Sequence, residues 1–457
     1  MRCVTAKRTC GGYEDREKEF KFRHFDDQGN GAGPAQSNAR KCSLPPRPAA
    51  PGTQAWASDD LPKEVTEKDV DDFAVRSFYY EFCLTPAHHA ISHGFLSGLE
   101  DRARHTSGRS PLIKACELVA YASHGIKLNR FKLLSKAEKL NQELISSLAV
   151  DIQSQSAVSP RKKEDAVLVA ALLGLYEVFH ANGVCALLQI ESSPFKLLEE
   201  IRSTSSLGRL KKSLFKPDRG MIEPSCSASP AQSLDTLINA LCSIHAKRAD
   251  AIDNRFAASD DQYILDEAVH LEQAFLQWEQ AQGTRFRPST IGTINRRTCD
   301  KEHTPGFYPG NVDIYFDLYV ACIWNIYRAA RLYLITLIAE LRSTYSTPEP
   351  LDPPENGYQF LVSGILSSVP YHLTEDLHDF VQHADMQSSI TTPGKIVGGL
   401  LLMQPLHVVS TLPVVDSAIR DYMRRCLMWI GTNMGIGQAC LMAKVFEIPI
   451  ATRPPSA

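Results

Sequence analysis

From about residue 66 onward, apolar residues recur every three or four positions along most of the chain, and this spacing predicts helices. In the segment 131–149 the apolar positions fall on one helical face, formed by Phe131, Leu134, Ala137, Leu140, Leu144 and Leu148. Residues 234–248 and 263–278 repeat this amphipathic pattern. Residues 309–342 predict one long helix that starts at a proline and an asparagine, and 416–446 predict one or two closing helices.

Two segments are unusually rich in apolar residues. Residues 165–181 predict a central helix, and the uncharged run AVLVAALLGLY (166–176) inside it is too short to cross a bilayer. The run 396–415 has no Asp, Glu, Lys or Arg but contains two prolines, which favours a buried irregular region over a membrane span. The segment SGILSSVPYHLT (363–374) is expected to interrupt the helical pattern. No membrane partner is predicted.

No segment alternates apolar and polar residues with hairpin turns between, so no strand is predicted. The expected fold class is therefore all-α, a multi-helix domain of packed helix pairs. Residues 26–62 are rich in Gly, Pro, Ala and Ser, which predicts a disordered linker. The predicted organisation is an N-terminal segment at 1–25, a linker at 26–65 and a helical body at 66–450. Long loops are expected at 203–231 and 344–358.

The charge balance excludes a polycation. The chain has 49 basic and 52 acidic side chains and a net charge of -3, so nucleic-acid binding would need a local basic patch. The short basic runs at 161–163, 209–216 and 296–297 favour solvated loops, and 209–216 has a nuclear-import role as its alternative. The 12 cysteines include no C-x2-C pair. The sequence shows no N-x-S/T sequon and no apolar signal segment at its start, and both absences predict an intracellular, reducing compartment.

Enzymatic chemistry is not indicated. There is no phosphate-binding loop and no nucleophile elbow. His89 and His93 would lie one helical turn apart, a metal-ligand spacing, but Ala90 stands where the zinc-protease pattern has Glu. Two polar histidines near a helix end are the favoured interpretation. The protein is expected not to be an enzyme.

A polar stripe is predicted on the long helix 309–342. Asp313 and Asp317 are four residues apart and line up on one helical face with Asn325, Arg328 and Arg331. Such a stripe could form a polar cleft, but a stripe paired internally or with a neighbouring helix is the favoured interpretation.

The first residues carry a sharper pattern. Cys3 and Cys10 are separated by six residues that include Lys7 and Arg8, and Gly-Gly-Tyr follows. This stretch resembles the fifth and sixth cysteines of the fungal binuclear zinc cluster, in which six cysteines hold two zinc ions. The helical body resembles the regulatory domain that accompanies this cluster in fungal transcription factors. The resemblance is carried by ALLGLYEVF (171–179), YVACIWNIYRAARLYL (319–334), SSVPYHLT (367–374), LLLMQPLHVV (400–409) and MGIGQACLMA (434–443), with Gln404 where the family often has Trp.

The resemblance implies a nuclear transcription factor that acts on genes read by RNA polymerase II. It assigns Cys3 and Cys10 as zinc ligands if the upstream half of the cluster exists, and Lys7 and Arg8 as weak phosphate contacts. Two thiolates cannot close a structural zinc site, which needs four ligands per ion unless a thiolate bridges. Residues 1–25 would then be the C-terminal remnant of the cluster, and DNA binding by this chain is doubtful.

Two explanations stay open: a start assigned too late, or a variant that kept only the regulatory body. The partners implied are DNA if the cluster is complete, a second copy of the chain, and the transcriptional machinery or co-regulators. The alternative function is a helical interaction protein without DNA binding, and a third is a helical enzyme or lipid-binding protein.

Overall fold

The helical body comprises thirteen helices and one two-stranded sheet in the part of the chain that the structure describes. The computed structural model describes residues 67–105, 109–153, 160–179, 230–254, 258–295, 304–345, 357–387 and 389–444. The predicted all-α class is confirmed. The predicted segment 1–25, the linker 26–65, most of the loop 203–231 and residues 346–356 lie outside the described residues, so these boundaries stay predictions.

The elements follow one another in this order: α1 (Glu67–Phe82), α2 (Leu99–Arg104), α3 (Pro111–Lys127), α4 (Phe131–Gln153), α5 (Pro160–Phe179), α6 (Pro230–Asn254), α7 (Ala258–Gln280), β1 (Ser289–Ile294), β2 (Gly310–Ile314), α8 (Leu318–Tyr345), α9 (Gly357–Leu373), α10 (Leu377–His383), α11 (Ile396–Thr411), α12 (Ser417–Met434) and α13 (Gly437–Lys444). The helices predicted at 131–149, 234–248, 263–278 and 416–446 are confirmed as α4, α6, α7 and the pair α12–α13.

Helix α3 is the centre of the first group of helices. Its N-cap Ser110 accepts a hydrogen bond from the backbone N–H of Ile113 at 3.3 Å, and most of its residues are buried. Helices α1, α4 and α5 pack around it. The carboxylate of Asp71 on α1 accepts hydrogen bonds from the hydroxyl of Tyr121 on α3 and from the ammonium group of Lys136 on α4. One partly buried carboxylate thus joins three helices.

Helix α5 is less central than its sequence predicts. Leu168, Leu172 and Tyr176 are buried against the core, but Val167 is 42% exposed and Gly174 lies on the same exposed side. The prediction of a helix within 165–181 is confirmed, whereas the prediction of a central helix is wrong for the described residues. Small side chains on the outer face allow an apolar helix to sit at the surface at little cost.

The predicted helix at 309–342 is wrong at its start. Residues Gly310–Ile314 form β2, which pairs antiparallel with β1 from Ser289 opposite Ile314 to Ile294 opposite Gly310. Gly310 has a φ of +140°, which a helix excludes. Helix α8 begins only at Leu318, where the side chain of Asp317 accepts a hydrogen bond from the N–H of Val320 at 2.9 Å. The sheet also corrects the expectation that no strand forms.

The irregular regions predicted around two prolines are helices. Pro370 lies inside α9 and Pro405 inside α11, so the expected break at 363–374 and the expected irregular region at 396–415 are both wrong. Helix α11 is buried nearly all round by α1, α8, α9 and α12, and this packing outweighs the lost backbone hydrogen bond. None of the described helices is long and apolar enough to cross a bilayer.

The first and last thirds of the body are joined directly. Helix α1 packs on α11, and the carboxylate of Glu81 accepts a hydrogen bond from the N–H of Ile396, the first residue of α11, at 2.8 Å. Beside it, the hydroxyl of Tyr80 donates to Glu375 at 2.9 Å. Burial raises the pKa of Glu81, while the hydrogen bond from Ile396 opposes this shift.

Substitution of glycine by alanine is expected to change stability in opposite directions at two positions. A Cβ at Gly398 of α11 would lie 2.2 Å from the carbonyl oxygen of His372, whereas a Cβ at Gly174 of α5 would meet nothing within 4 Å. We expect Gly398→Ala to lower the free energy of unfolding by about 2 kcal/mol, because α9 and α11 must separate. We expect Gly174→Ala to raise it by about 0.5–1 kcal/mol through helix propensity. Urea unfolding of both variants checks the pair, and equal signs would contradict the prediction.

Candidate functional site

A buried polar network joins the two most distinctive motifs of the sequence. Asn325 of α8 donates from Nδ2 to the Oγ of Ser368 on α9 at 2.9 Å and approaches Nε2 of His372 at 3.3 Å. All three side chains are buried. The stretches 319–334 and 367–374, which are separate in sequence, therefore meet through side-chain hydrogen bonds.

The hydrogen bonds of His372 determine its protonation. Nδ1 of His372 lies 3.1 Å from the carbonyl oxygen of Gly398 on α11, which can only accept, so this contact assigns the proton to Nδ1. Nε2 then accepts from Asn325. Burial, together with the nearby Arg328 guanidinium, lowers the pKa of His372 to about 4. The neutral ring links α8, α9 and α11.

Arg328 is the cation of this network. It donates from Nη1 to the hydroxyl of Tyr315 at 2.8 Å and to Oδ1 of Asn325 at 2.9 Å. Its guanidinium lies 5.6 Å from the Trp324 ring and 5.8 Å from the Tyr315 ring, within the range of cation–π attraction. A Cβ at Gly364 of α9 would approach Nε to 2.5 Å, so only glycine leaves room for the side chain. Arg328 is 6% exposed.

Arg331 makes a separate contact one turn later. It donates from Nε to Glu272 at 2.7 Å and lies 3.4 Å from Glu279, both on α7. The Tyr327 hydroxyl donates to Glu279 at 2.7 Å, and its ring stacks on Trp278 with centroids 4.9 Å apart. Burial raises the pKa of Glu272, and the positive charge of Arg331 opposes this. The predicted pairing of the polar stripe with a neighbouring helix is confirmed for Arg331.

The acidic half of the stripe has a different role from the one predicted. Asp313 lies in β2, where it accepts hydrogen bonds from Thr290 of β1 at 2.7 Å and from Ser367 of α9 at 2.6 Å. Asp317 caps α8. The two carboxylates therefore do not share a helical face with Asn325, because the helix begins after both. The polar ladder Thr290–Asp313–Ser367 ties the sheet to α9.

A solvent-facing cleft, here called the polar cleft, borders this ladder. It has a volume of about 310 Å³, the lower end of the range of ~300–1,000 Å³ for ligand pockets. Three parts of the chain line it: the start of β2, the outer face of α9 and the start of α12. The lining residues are Tyr308, Pro309, Gly310, Asn311, Tyr358, Gln359, Val362, Ser363, Leu366, Ser367, Val415, Asp416 and Ile419.

A second cleft, the apolar cleft, lies on the other side of Tyr358. It has a volume of about 250 Å³ and lies between the C-terminal half of α8 and the segment before α12. Its lining residues are Ile335, Thr336, Ala339, Glu340, Ser343, Tyr358, Pro413 and Val414. Of these residues only Glu340 is charged, and it pairs with Arg248 of α6 at 2.8 Å.

Sequence-predicted metal ligands do not come together in the described residues. His89 lies in a turn and His93 in the irregular segment after it, not on a helix, so the predicted helical spacing is wrong. Within the described ranges, no group of three or more His, Cys, Asp or Glu side chains could hold a metal ion. Cys3, Cys10, Lys7 and Arg8 lie outside these ranges, as do the basic runs at 209–216 and 296–297. Lys162 and Lys163 are exposed at the start of α5.

The two clefts were not anticipated from the sequence. The polar cleft is lined by residues from three separate elements, and none of the predicted site residues lines it. The stretch 367–374 was the nearest signal, because its first residue Ser367 forms part of the wall.

Comparison with known proteins identifies a fungal transcription factor as a relative of this chain. The transcription factor dbaG of Emericella nidulans is 38% identical to this chain over 402 residues, which cover 84% of this chain and 94% of the relative. The chain belongs to the dbaG family. Because the similarity covers 84% of this chain, it includes most of the helical body. No protein-family model and no solved structure matches the chain.

Proposed function

We propose that this protein is a nuclear transcription regulator of the fungal zinc-cluster class, and that its helical body 67–444 is the regulatory part. The observation that carries the proposal is the similarity to the transcription factor dbaG, which extends over nearly the whole length of dbaG. The order of the five motif stretches supports the zinc-cluster class, since they resemble that regulatory domain. We further propose co-regulators as its partners and no catalytic activity.

The proposed role fits the construction of the body. A regulatory domain must hold one defined surface and change it in response to an input. In this chain Asn325, Arg328 and His372 fix the relative position of three helices through directed hydrogen bonds, and such networks specify a unique arrangement when they are satisfied. The network lies in the core, so its role is positional.

The proposal includes zinc binding by the N-terminal segment. Cys3 and Cys10 are proposed as two ligands of a binuclear cluster, with Lys7 and Arg8 adding attraction to DNA phosphates. The support is the C-x6-C spacing followed by Gly-Gly-Tyr. Four further thiolates would have to complete the cluster, and zinc binding would then supply the folding energy of that module.

A reporter assay tests the regulatory function. The full chain is fused to a heterologous DNA-binding domain and placed on a reporter promoter in a filamentous fungus. We expect reporter output to change at least about threefold relative to the DNA-binding domain alone, because the helical body recruits or blocks the transcriptional machinery. In parallel, the natural protein isolated from its own cells is assayed for zinc, with two ions per chain expected.

The matched control is the same fusion carrying Asn325→Leu, which should lose the effect because the helical body loses its internal anchor. An unchanged reporter with the intact, nuclear fusion would reject transcriptional regulation. Absence of zinc in the natural protein would reject only the zinc-cluster class and would favour a helical interaction protein that acts without its own DNA binding.

A further inference from the structure

The polar cleft and the apolar cleft adjoin each other and differ in the chemistry of their linings. Tyr358 belongs to both clefts, and the segment 413–416 contributes Pro413 and Val414 to one and Val415 and Asp416 to the other. Two independent parts of the chain thus lead from one cleft into the other. A ligand that fills both needs a polar part and an apolar part.

The charges around the polar cleft select against anions. Of the described residues that line it, only Asp416 is charged, and its carboxylate also caps α12 by accepting from the N–H of Ala418 at 2.8 Å. A second carboxylate, Asp313, lies directly behind the wall residue Ser367 at 2.6 Å. No lysine or arginine belongs to this lining. An anionic ligand would meet repulsion from both carboxylates.

The wall presents acceptors to a ligand. Ser367 is 5% exposed, and its hydroxyl lies 2.6 Å from the Asp313 carboxylate and 3.1 Å from the carbonyl oxygen of Gly364, so its single proton is used within the protein and its oxygen can only accept from a ligand. Exposed Asn311 adds a carboxamide that can accept or donate, while the buried Val362 and Val415 add apolar side chains to the lining. The matching ligand groups are hydroxyl or amide donors on a largely apolar frame.

We propose that the two clefts together bind an uncharged amphipathic small molecule, whose hydroxyl or amide donors occupy the polar cleft and whose alkyl or aromatic part extends past Tyr358 into the apolar cleft. The inference rests on the proposed function in one respect, because it gives the regulatory body a chemical input. Ser367 transmits occupancy inward, since it touches Asp313 and lies next to Ser368 of the buried network.

The test uses purified full-length protein and isothermal titration calorimetry with 4-hexylresorcinol, a neutral probe with two hydroxyl donors and a six-carbon tail. We expect saturable binding of one molecule per chain. The matched anion 4-hexylbenzoate has the same tail and should bind at least about tenfold more weakly, because its carboxylate faces Asp416 and Asp313.

Three variants locate the site. Ser363→Trp puts an indole into the polar cleft from an exposed position on α9, and Ala339→Trp does the same in the apolar cleft from an exposed position on α8. Each should weaken binding of 4-hexylresorcinol at least about tenfold. Phe360→Trp is the control, because Phe360 is 68% exposed on the same helix as Ser363 and lines neither cleft. It should change affinity less than about twofold.

Circular dichroism melting of each variant verifies that the fold is kept. No saturable binding, equal affinity for the anion, or equal loss in Phe360→Trp would each overturn the proposal. An effect of Ser363→Trp without an effect of Ala339→Trp would overturn the single two-part site. Because binding is measured on purified protein, its absence would leave the reporter result intact, and a silent reporter would leave the binding result intact.

Discussion

Replacing Asn325 by leucine is expected to lower the free energy of unfolding by about 3 kcal/mol. Leucine has a similar size, so the cost comes from lost hydrogen bonds rather than from a cavity. Arg328 would lose the oxygen that it contacts at 2.9 Å, and Ser368 and His372 would lose a donor inside the core. A buried charge with fewer acceptors is among the most damaging changes that one substitution can make.

Urea unfolding followed by circular dichroism measures this loss. The control is Asn433→Leu, because Asn433 is exposed on α12 and, among the described residues, bonds only to its own helix, at 3.2 Å to the carbonyl of Trp429 and 3.0 Å to Thr432. The control should change stability by less than about 0.5 kcal/mol. Ser368→Ala combined with Asn325→Leu should cost less than the sum of the two single variants. A fully additive pair would show that the two residues do not act as one network.

Acidification is expected to destabilise the body strongly between pH 7 and pH 5. Burial lowers the pKa of His124, His372 and His407 to about 4 each. An unfolded histidine has a pKa of about 6.5. Below that pH the histidines of the unfolded chain bind protons, whereas the buried histidines of the folded chain stay neutral. Each of these histidines therefore costs about 2 kcal/mol of stability on going from pH 7 to pH 5.

Buried carboxylates oppose part of this loss. Burial raises the pKa of Glu81, Glu117 and Glu272, so the folded state takes up their protons before the unfolded state does. Their contribution is largest at low pH and disappears as the pH rises through their folded pKa values. The net loss should therefore be smaller than the sum over the three histidines.

A matched pair of variants isolates one histidine. In His407→Gln the difference in unfolding free energy between pH 7 and pH 5 should shrink by about 2 kcal/mol, because the unfolded chain no longer gains a proton at this position. In Asn433→Leu it should not change, since this exposed substitution on α12 removes no titratable group. Comparing each variant with itself at two pH values removes any constant cost of the substitution. An unchanged difference in His407→Gln would contradict the assignment of a buried neutral ring.

Helices could be predicted from the sequence where the apolar periodicity within one segment determines the structure. The prediction failed where packing against other helices determines whether a segment is helical. The face of α4 containing Ala137, Leu140 and Leu144 is buried as predicted. The same rule misjudged Phe131, which is 77% exposed at the start of the helix. Pro405 suggested irregular structure, but burial on all sides keeps α11 helical, and no local pattern contains that information.

The buried hydrogen-bond network could not be predicted from the sequence for a different reason. Asn325 and Ser368 were each noted within a motif, yet they are 43 residues apart and nothing in either motif specifies the other as a partner. The same holds for the clefts, because their linings combine β2, α8, α9 and α12. The polar stripe failed at Asp313 because proline and asparagine at 309–311 are compatible with both a helix start and a strand.

The contact between Glu81 and Ile396 has a consequence for how the protein is made. The two residues are 315 positions apart, so on the ribosome helix α1 must wait for the start of α11 to be synthesised. At about 5–20 residues per second, this delay is roughly 15–60 s, long compared with the microseconds in which a helix forms. During that time the apolar face of α1 with Phe78 and Phe82 lacks its C-terminal neighbours, and nascent chains are expected to depend on chaperones at this stage.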